Sequence, residues 1–340
     1  MYSTRRNRER EQSAGRYYKR REFFFHFPEG SFLQKKRKRP GRIQLHEIAF
    51  YIGSKAIHWY GVCISLGFLA ALMLLLWKRK HAGMNSEEIV DLSMLALFSG
   101  IAGARIFYVA EFWNQSFAGR PFWKIFRIDE GGLVFYGGFL CAFTSLWIYA
   151  RWKKLSIRRI LDIFAPAMAL AHAFGRIGCF LQGCCFGRPW TGGVVFPAGS
   201  LPAMRYPDVH TGTSLPLYPV QLYESGLNIL LCVLLLLLFS RCRKGGQIAA
   251  IYLMGYALLR FSLEFFRGDH VDSIAGLTPS QSIALLLMMP MGALLFGYWT
   301  KKSDLPPPGG EVENSPARKQ LAEKEMGKKK EKTEGNRNGV

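Results

Sequence analysis

Apolar residues along this chain gather into seven windows, at residues 57–77, 89–112, 131–150, 159–182, 219–240, 247–266 and 279–299. A helix that crosses a bilayer needs about 20 mostly apolar residues, so the pattern predicts seven membrane spans. The fifth is the clearest, being almost all leucine from Leu230 to Phe239. The second and fourth are interrupted by Gly, Arg and His, which a span tolerates where it faces protein or a wet cavity. The expected fold is all-α and polytopic.

Polar positions orient the spans. Lys78-Arg79-Lys80 follows the first. Arg151, Lys153, Lys154, Arg158 and Arg159 lie between the third and fourth. Arg241, Arg243 and Lys244 follow the fifth, and Lys301-Lys302 the seventh. These are alternate loops and share one side, which the positive-inside rule makes cytoplasmic. The expected arrangement has the N-terminus outside, the C-terminus inside and outer loops near 113–130, 187–218 and 267–278. The Gly- and Pro-rich middle loop is the largest candidate lid.

Composition changes this picture only at the ends. Hydrophobic residues make up 49% of the 340, yet mean hydropathy is +0.06. Residues 1–43 hold 14 Lys/Arg against four Glu, and the chain beyond Lys301 is rich in Pro, Gly, Lys and Glu. Such segments bury too little apolar surface to order themselves. The expected layout is a basic tail at 1–45, a membrane domain at 46–300 and a tail at 301–340. A basic tail on the outer side conflicts with the charge rule, so a start near Ile43 is the other reading. Phe23-Phe24-Phe25 is too short for a signal peptide. The net charge of +21 is scattered in the tail and in loops beside spans, without a coherent basic face, so no nucleic-acid partner is expected.

Charged residues at membrane depth are functional candidates. They are Arg105, Arg176, Arg260 and Glu264. Arg176 sits in a Gly-rich stretch with Gly175, Gly178, Gly183 and Gly187, and its planar fork suits a phosphate. A structural Arg–Glu pair with glycines for helix packing is the competing reading. Tyr256, Arg260 and Glu264 recur every four residues, one polar stripe on an apolar helix. Gly131-Gly132 and Gly137-Gly138 flank Tyr136 at the outer end of the third span. Of seven cysteines, Cys179, Cys184 and Cys185 cluster. Without paired CxxC elements they do not predict a metal site, and adjacent cysteines rarely bridge each other. Cys63, Cys141 and Cys232 read as core packing.

Taken in order, these motifs resemble the prolipoprotein diacylglyceryl transferases of bacterial inner membranes. His58-Trp59-Tyr60-Gly61 resembles the first-helix motif and Gly103-Ala104-Arg105-Ile106-Phe107-Tyr108 the second. Gly131-Gly132 to Gly137-Gly138 resembles the paired-glycine element, and Gly175-Arg176-Ile177-Gly178 the start of the signature. Tyr218-Pro219-Val220-Gln221-Leu222-Tyr223-Glu224 and Tyr256, Arg260 and Glu264 to Arg267 complete the set. Two departures stand out. Tyr136 occupies the place of a His, and the signature's Gly-Asn-Phe-x-Asn-Gly-Glu reads Gly178-Cys179-Phe180-Leu181-Gln182-Gly183-Cys184.

The resemblance implies a reaction. The lipobox cysteine thiol of a prolipoprotein attacks the phosphate-bearing glyceryl carbon of phosphatidylglycerol, a thioether forms, and glycerol phosphate leaves. It implies catalytic roles for Tyr136, Arg176 and Arg260. Substrate contacts fall to Tyr60, Arg105, Gly137, Gly138, Gly175, Gly178, Gln182, Gly187, Gln221, Tyr256 and Glu264. A phenol is a poor base at neutral pH, so Tyr136 either orients a head group or is activated by neighbouring arginines. The lipid carries its own leaving group, so no cofactor is expected. The implied partners are phosphatidylglycerol, prolipoprotein signal peptides and the bilayer. A repurposed, non-catalytic paralogue that binds anionic phospholipid is the alternative. A transporter would favour internal repeats, and a thiol-redox protein a CxxC pair.

Overall fold

The computed structural model describes residues 48–53, 55–127, 131–242, 244–269 and 277–301. Both expected tails lie outside these residues except for Lys301, as do Arg243, Lys302 and the 270–276 part of the third outer loop. All seven apolar windows are helical. In chain order the helices are α1 (Trp59–Lys78), α2 (Ser86–Glu111), α3 (Phe135–Trp152), α4 (Ile157–Gln182), the short α5 (Leu201–Arg205), α6 (Val220–Leu238), α7 (Gln247–Glu264), α8 (Pro279–Ser282) and α9 (Met289–Lys301). The last two are joined by a widened helical turn over Ile283–Met288. Pro290 follows that turn; it has no N–H to continue the ladder, and a local widening accommodates the loss.

Five stretches are long and apolar enough to cross a membrane: Trp59–Ala82, Ser86–Glu111, Ile157–Gln182, Val220–Leu238 and Pro279–Lys301. The other two, α3 and α7, have 18 residues each and are less apolar. At 1.5 Å per residue they reach about 27 Å, close to the thickness of a hydrocarbon core. The side chains are arranged inside-out relative to a soluble protein. Leu230, Leu237, Leu286 and Leu294 are exposed, whereas Glu224, Asn228, Glu264 and Gln221 are almost wholly buried. Lipid is as apolar as leucine, so the interior can hold the polar groups.

The fold is not purely helical. Ile48–Ile52 (β1) and Lys55–His58 (β2) form an antiparallel hairpin just before α1, and Pro189–Val194 (β3) is extended. Aromatic and β-branched residues in Ile48-Ala49-Phe50-Tyr51-Ile52 favour a strand, and Gly53 turns the chain at φ +60°. These elements are too short to register beside 20-residue apolar runs.

Close helix contacts rest on small residues. A Cβ at Gly103 would lie 2.4 Å from Cys141, and one at Gly137 2.4 Å from Phe107, so α2 and α3 meet backbone to backbone. Gly138 faces the Gly100 carbonyl at 2.9 Å by the same measure. The α1–α4 seam is similar, with Gly67 against Phe174 and Gly178 against Tyr60 and Cys63. One buried carboxylate serves a helix end. Asp162 of α4 accepts hydrogen bonds from the Gly246 and Ala249 amides at 2.6 and 2.9 Å, capping α7 from a neighbouring helix. Asn85 and Glu88 cap α2 reciprocally.

The segment expected as a lid is a packed cap. Phe180, Phe186, Phe196 and Leu217 form its own small core. Trp190 stacks flat on Tyr218 with centroids 4.4 Å apart. Ser214 Oγ accepts from the Phe196 amide, and Tyr206 donates its hydroxyl to the Gly268 carbonyl. The Arg188 amide donates to the Phe266 carbonyl, tying the cap to the end of α7.

Candidate active site

The polar faces of α4, α6 and α7 meet beneath the cap. On α4, His172, Arg176 and Cys179 follow at i, i+4 and i+7, one side of the helix. On α6, Gln221, Glu224, Ser225 and Asn228 follow at i, i+3, i+4 and i+7 and are all buried. On α7, Tyr256, Arg260 and Glu264 form the third stripe.

Arg176 anchors the first half. Its Nη2 lies 3.0 Å from Glu224 Oε1, and its Nε donates to His172 Nε2 at 3.0 Å. His172 Nε2 is 3.4 Å from the same carboxylate oxygen. With Nε2 accepting from Arg176, the His172–Glu224 approach is a contact rather than a hydrogen bond. Tyr256 packs its ring on His172 at 5.2 Å and interacts with Arg176. Ser225 donates to the Ala173 carbonyl at 2.9 Å, which registers α6 on α4.

Arg260 anchors the second half. Its Nη2 meets Glu264 Oε2 at 3.1 Å and donates to Ser280 Oγ at 3.0 Å. Thr278 donates to Glu264 Oε1 at 2.8 Å, while its oxygen caps α8. Arg260 Nη1 is buried, and no described residue accepts its hydrogen bonds. A buried guanidinium donor without an acceptor is costly, and it marks where an anion would be held. The side chains of Arg176 and Arg260 keep 14% and 15% of their surface exposed, so neither is sealed from a ligand.

Other sequence-predicted residues divide. Gln221 is buried and donates through Nε2 to the Cys184 carbonyl at 2.8 Å, while its Oε1 meets no donor among the described residues. Tyr60 lies over Gly178, and Gly175 contacts Ile64. Gly187 packs on the Tyr218 backbone and its amide bonds the Tyr218 carbonyl. Gln182 ends α4 before Gly183, whose left-handed conformation (φ +71°) caps the helix. Gly137 and Gly138 lie in the α2–α3 seam. Tyr136 is 63% exposed at the start of α3, edge-on to Phe135.

Arg105 stands apart from the cluster. All of its nitrogens donate to main-chain carbonyls: Nε to Ile125, Nη1 to Gly131 and Gly132, Nη2 to Lys124 and Arg127. Its fork is spent holding the 113–134 loop against α2, and no donor remains for a substrate.

His172, Glu224, Ser280 and Thr278 were not singled out as site residues from the sequence. Glu224 and Asn228 were detectable as a polar stripe on a leucine-rich helix. Ser280 and Thr278 carried no signal, because they reach the site only when α8 folds back onto α7.

Residues 47–298 match the sequence profile of the prolipoprotein diacylglyceryl transferase family. The chain belongs to that family. It is 31% identical over 249 residues to the phosphatidylglycerol–prolipoprotein diacylglyceryl transferase of Clostridium tetani, covering 73% of this chain and 96% of that relative. The enzyme of the same name from Legionella pneumophila (strain Lens) is 32% identical, with 75% and 95% covered. Phosphatidylglycerol–prolipoprotein diacylglyceryl transferase 2 of Clostridium perfringens is 33% identical, with 75% and 94% covered. Each match therefore runs nearly the full length of the relative, and the profile match at 47–298 includes the α4–α6–α7 cluster.

Proposed function

We propose that this protein transfers the diacylglyceryl group of phosphatidylglycerol to the lipobox cysteine thiol of prolipoproteins in a bacterial cytoplasmic membrane. The observation that carries the reading is the pair of largely buried arginines, each beside a carboxylate and neither sealed off, in a chain of this family. The departing glycerol phosphate is anionic. Arg176 and Arg260 bind its phosphate and stabilise the charge that grows as the glyceryl C–O bond breaks. Glu224 and Glu264 hold the two forks in place, so little reorganisation is needed at the moment of reaction. Gln221, with its unpaired Oε1, is a donor-seeking contact for a glyceryl hydroxyl. Tyr60, Tyr136, Tyr256, Gln182 and the glycines 137, 138, 175, 178 and 187 complete the proposed substrate contacts, and Arg105 keeps the loop beside them in register.

All seven long helical segments span the bilayer in this reading, α3 presenting Phe135, Phe139, Leu140 and Ile148 outward. The loops holding Lys78, Lys153 and Arg243 face the cytoplasm. A cysteine placed at Lys80 should therefore resist an impermeant external thiol reagent in intact cells, and its labelling would reverse the topology. The reaction is tested with purified protein, phosphatidylglycerol micelles and a lipobox peptide. Mass spectrometry should find the peptide heavier by one diacylglyceryl group and an equal amount of glycerol phosphate. If phosphatidylglycerol binds but several lipobox peptides stay unmodified, the protein is a lipid-binding paralogue instead.

A further inference from the structure

The Cys179, Cys184 and Cys185 thiols lie beside Arg176, and the Sγ atoms all fall within 4.8 Å of one another. Their spacing along the chain is not that of a metal motif; the fold gathers them. Gly183 in the left-handed conformation ends α4, and the Cys184 amide bonds back to the Cys179 carbonyl at 3.1 Å. Cys184 thereby sits over Cys179. Cys185 adopts φ +59°, a conformation unfavourable for a residue with a side chain. Three interactions hold the turn that contains it: Gln221 on the Cys184 carbonyl, Gly187 on Tyr218 and Arg188 on Phe266. Strain kept in place from three sides is a built feature rather than slack.

Around a zinc ion with Zn–S bonds of about 2.3 Å, tetrahedral sulfurs sit about 3.8 Å apart, within the 4.8 Å span of the present cluster. Among the described residues no His or carboxylate joins the three thiols. The set is soft and three-fold, which suits a thiophilic ion and leaves a fourth position for an outside ligand. That position lies next to the proposed phosphate site. Cys179 is three residues beyond Arg176 on one helix, about 4.5 Å along its axis.

We infer that Cys179, Cys184 and Cys185 bind one zinc ion, whose fourth coordination site takes the prolipoprotein cysteine as a thiolate for alkylation. This rests on the transferase reading and supplies what a phenol such as Tyr136, poorly basic at neutral pH, does not: a means of deprotonating the nucleophile. The incoming thiol displaces a zinc-bound water and gives its proton to solvent. A sulfur lone pair then forms the C–S bond as the glyceryl C–O bond breaks, and the electron pair leaves on glycerol phosphate, held by Arg176 and Arg260. No oxidation occurs. The thioether is a weak ligand and leaves the metal, and water returns.

The test uses the full-length protein in detergent with zinc or cobalt(II) as the probe. About one zinc per chain should survive dialysis, and the cobalt form should show sulfur-to-metal charge-transfer bands. Cys185→Ser should weaken metal binding by roughly 100-fold or more. A lipobox peptide should intensify the cobalt bands, and the same peptide with serine in place of its cysteine should not. Chelation should lower transfer by roughly 100-fold, with recovery on adding zinc. Metal retention no greater than in the triple Cys→Ser protein would overturn the inference, as would full transfer after chelation. Bands unmoved by the cysteine peptide would also overturn it, and this comparison on the unaltered chain stands even if the variants misfold. If metal binds and the peptide thiol ligates it while nothing is transferred, the coordination is upheld and the transferase reading fails.

Discussion

Arg105 and Arg176 are both arginines at membrane depth beside glycine-packed helices, yet the structure uses them in opposite ways. Five hydrogen bonds to main-chain carbonyls consume Arg105, and every acceptor belongs to one loop. Arg176 meets a carboxylate and an imidazole, and its companion Arg260 retains a donor that no described residue accepts. A guanidinium satisfied by carbonyls is a fastener. One balanced by a carboxylate and left partly open keeps a donor that an anion can take. Depth in the membrane does not separate the two cases; the partners do.

The sharpest way to break this comparison is to substitute both arginines alike. Arg176→Lys keeps the charge and loses the fork, so transfer should fall by about 10²–10³, or roughly 3 kcal/mol of transition-state stabilisation. Arg176→Ala should do no better, and full activity there would remove the phosphate role. Arg105→Lys should act on the fold instead. It loses charge-assisted bonds worth about 1.5–3 kcal/mol each when buried, so thermal unfolding should shift down and the 113–134 loop should become open to protease. Its loss of rate per folded molecule should be far smaller than that of Arg176→Lys, and equal losses would merge the two classes.

A smaller effect probes the seam behind Arg105. Gly103→Val would force α2 off Cys141, costing about 1–3 kcal/mol of stability as an overpacked contact. A melting point unchanged in detergent would mean that the helices meet less closely. The smallest effect is expected at Tyr136. Tyr136→Phe should hold the transfer rate within about threefold, because the ring is exposed and stands edge-on to Phe135. A loss of 10² or more would give the hydroxyl a proton-transfer role and weaken the case for zinc.

Helix positions and the Tyr256–Arg260–Glu264 stripe were legible in the chain because each depends on local periodicity. Every apolar window became a helix, and Arg260 pairs with Glu264 one turn away as its spacing allows. The short hairpin and the cap's folded core were not legible, since a few β-forming residues carry little signal beside long apolar runs. The partners of the buried charges were hidden for a different reason. Asp162 caps a helix 84 residues further on, Gln221 reaches back 37 residues to Cys184, and Ser225 reaches 52 back to Ala173. Periodicity says which face of a helix is polar, and only packing decides what that face meets. So the sequence by itself determined a bundle of apolar helices with one charged stripe, at Tyr256, Arg260 and Glu264, and a lone candidate arginine at Arg176. The tertiary structure decided that Arg105 fastens a loop, that Arg176 and Arg260 face one site, and that three thiols without a metal motif converge. A turn geometry and a neighbouring helix, not residue spacing, bring those sulfurs together.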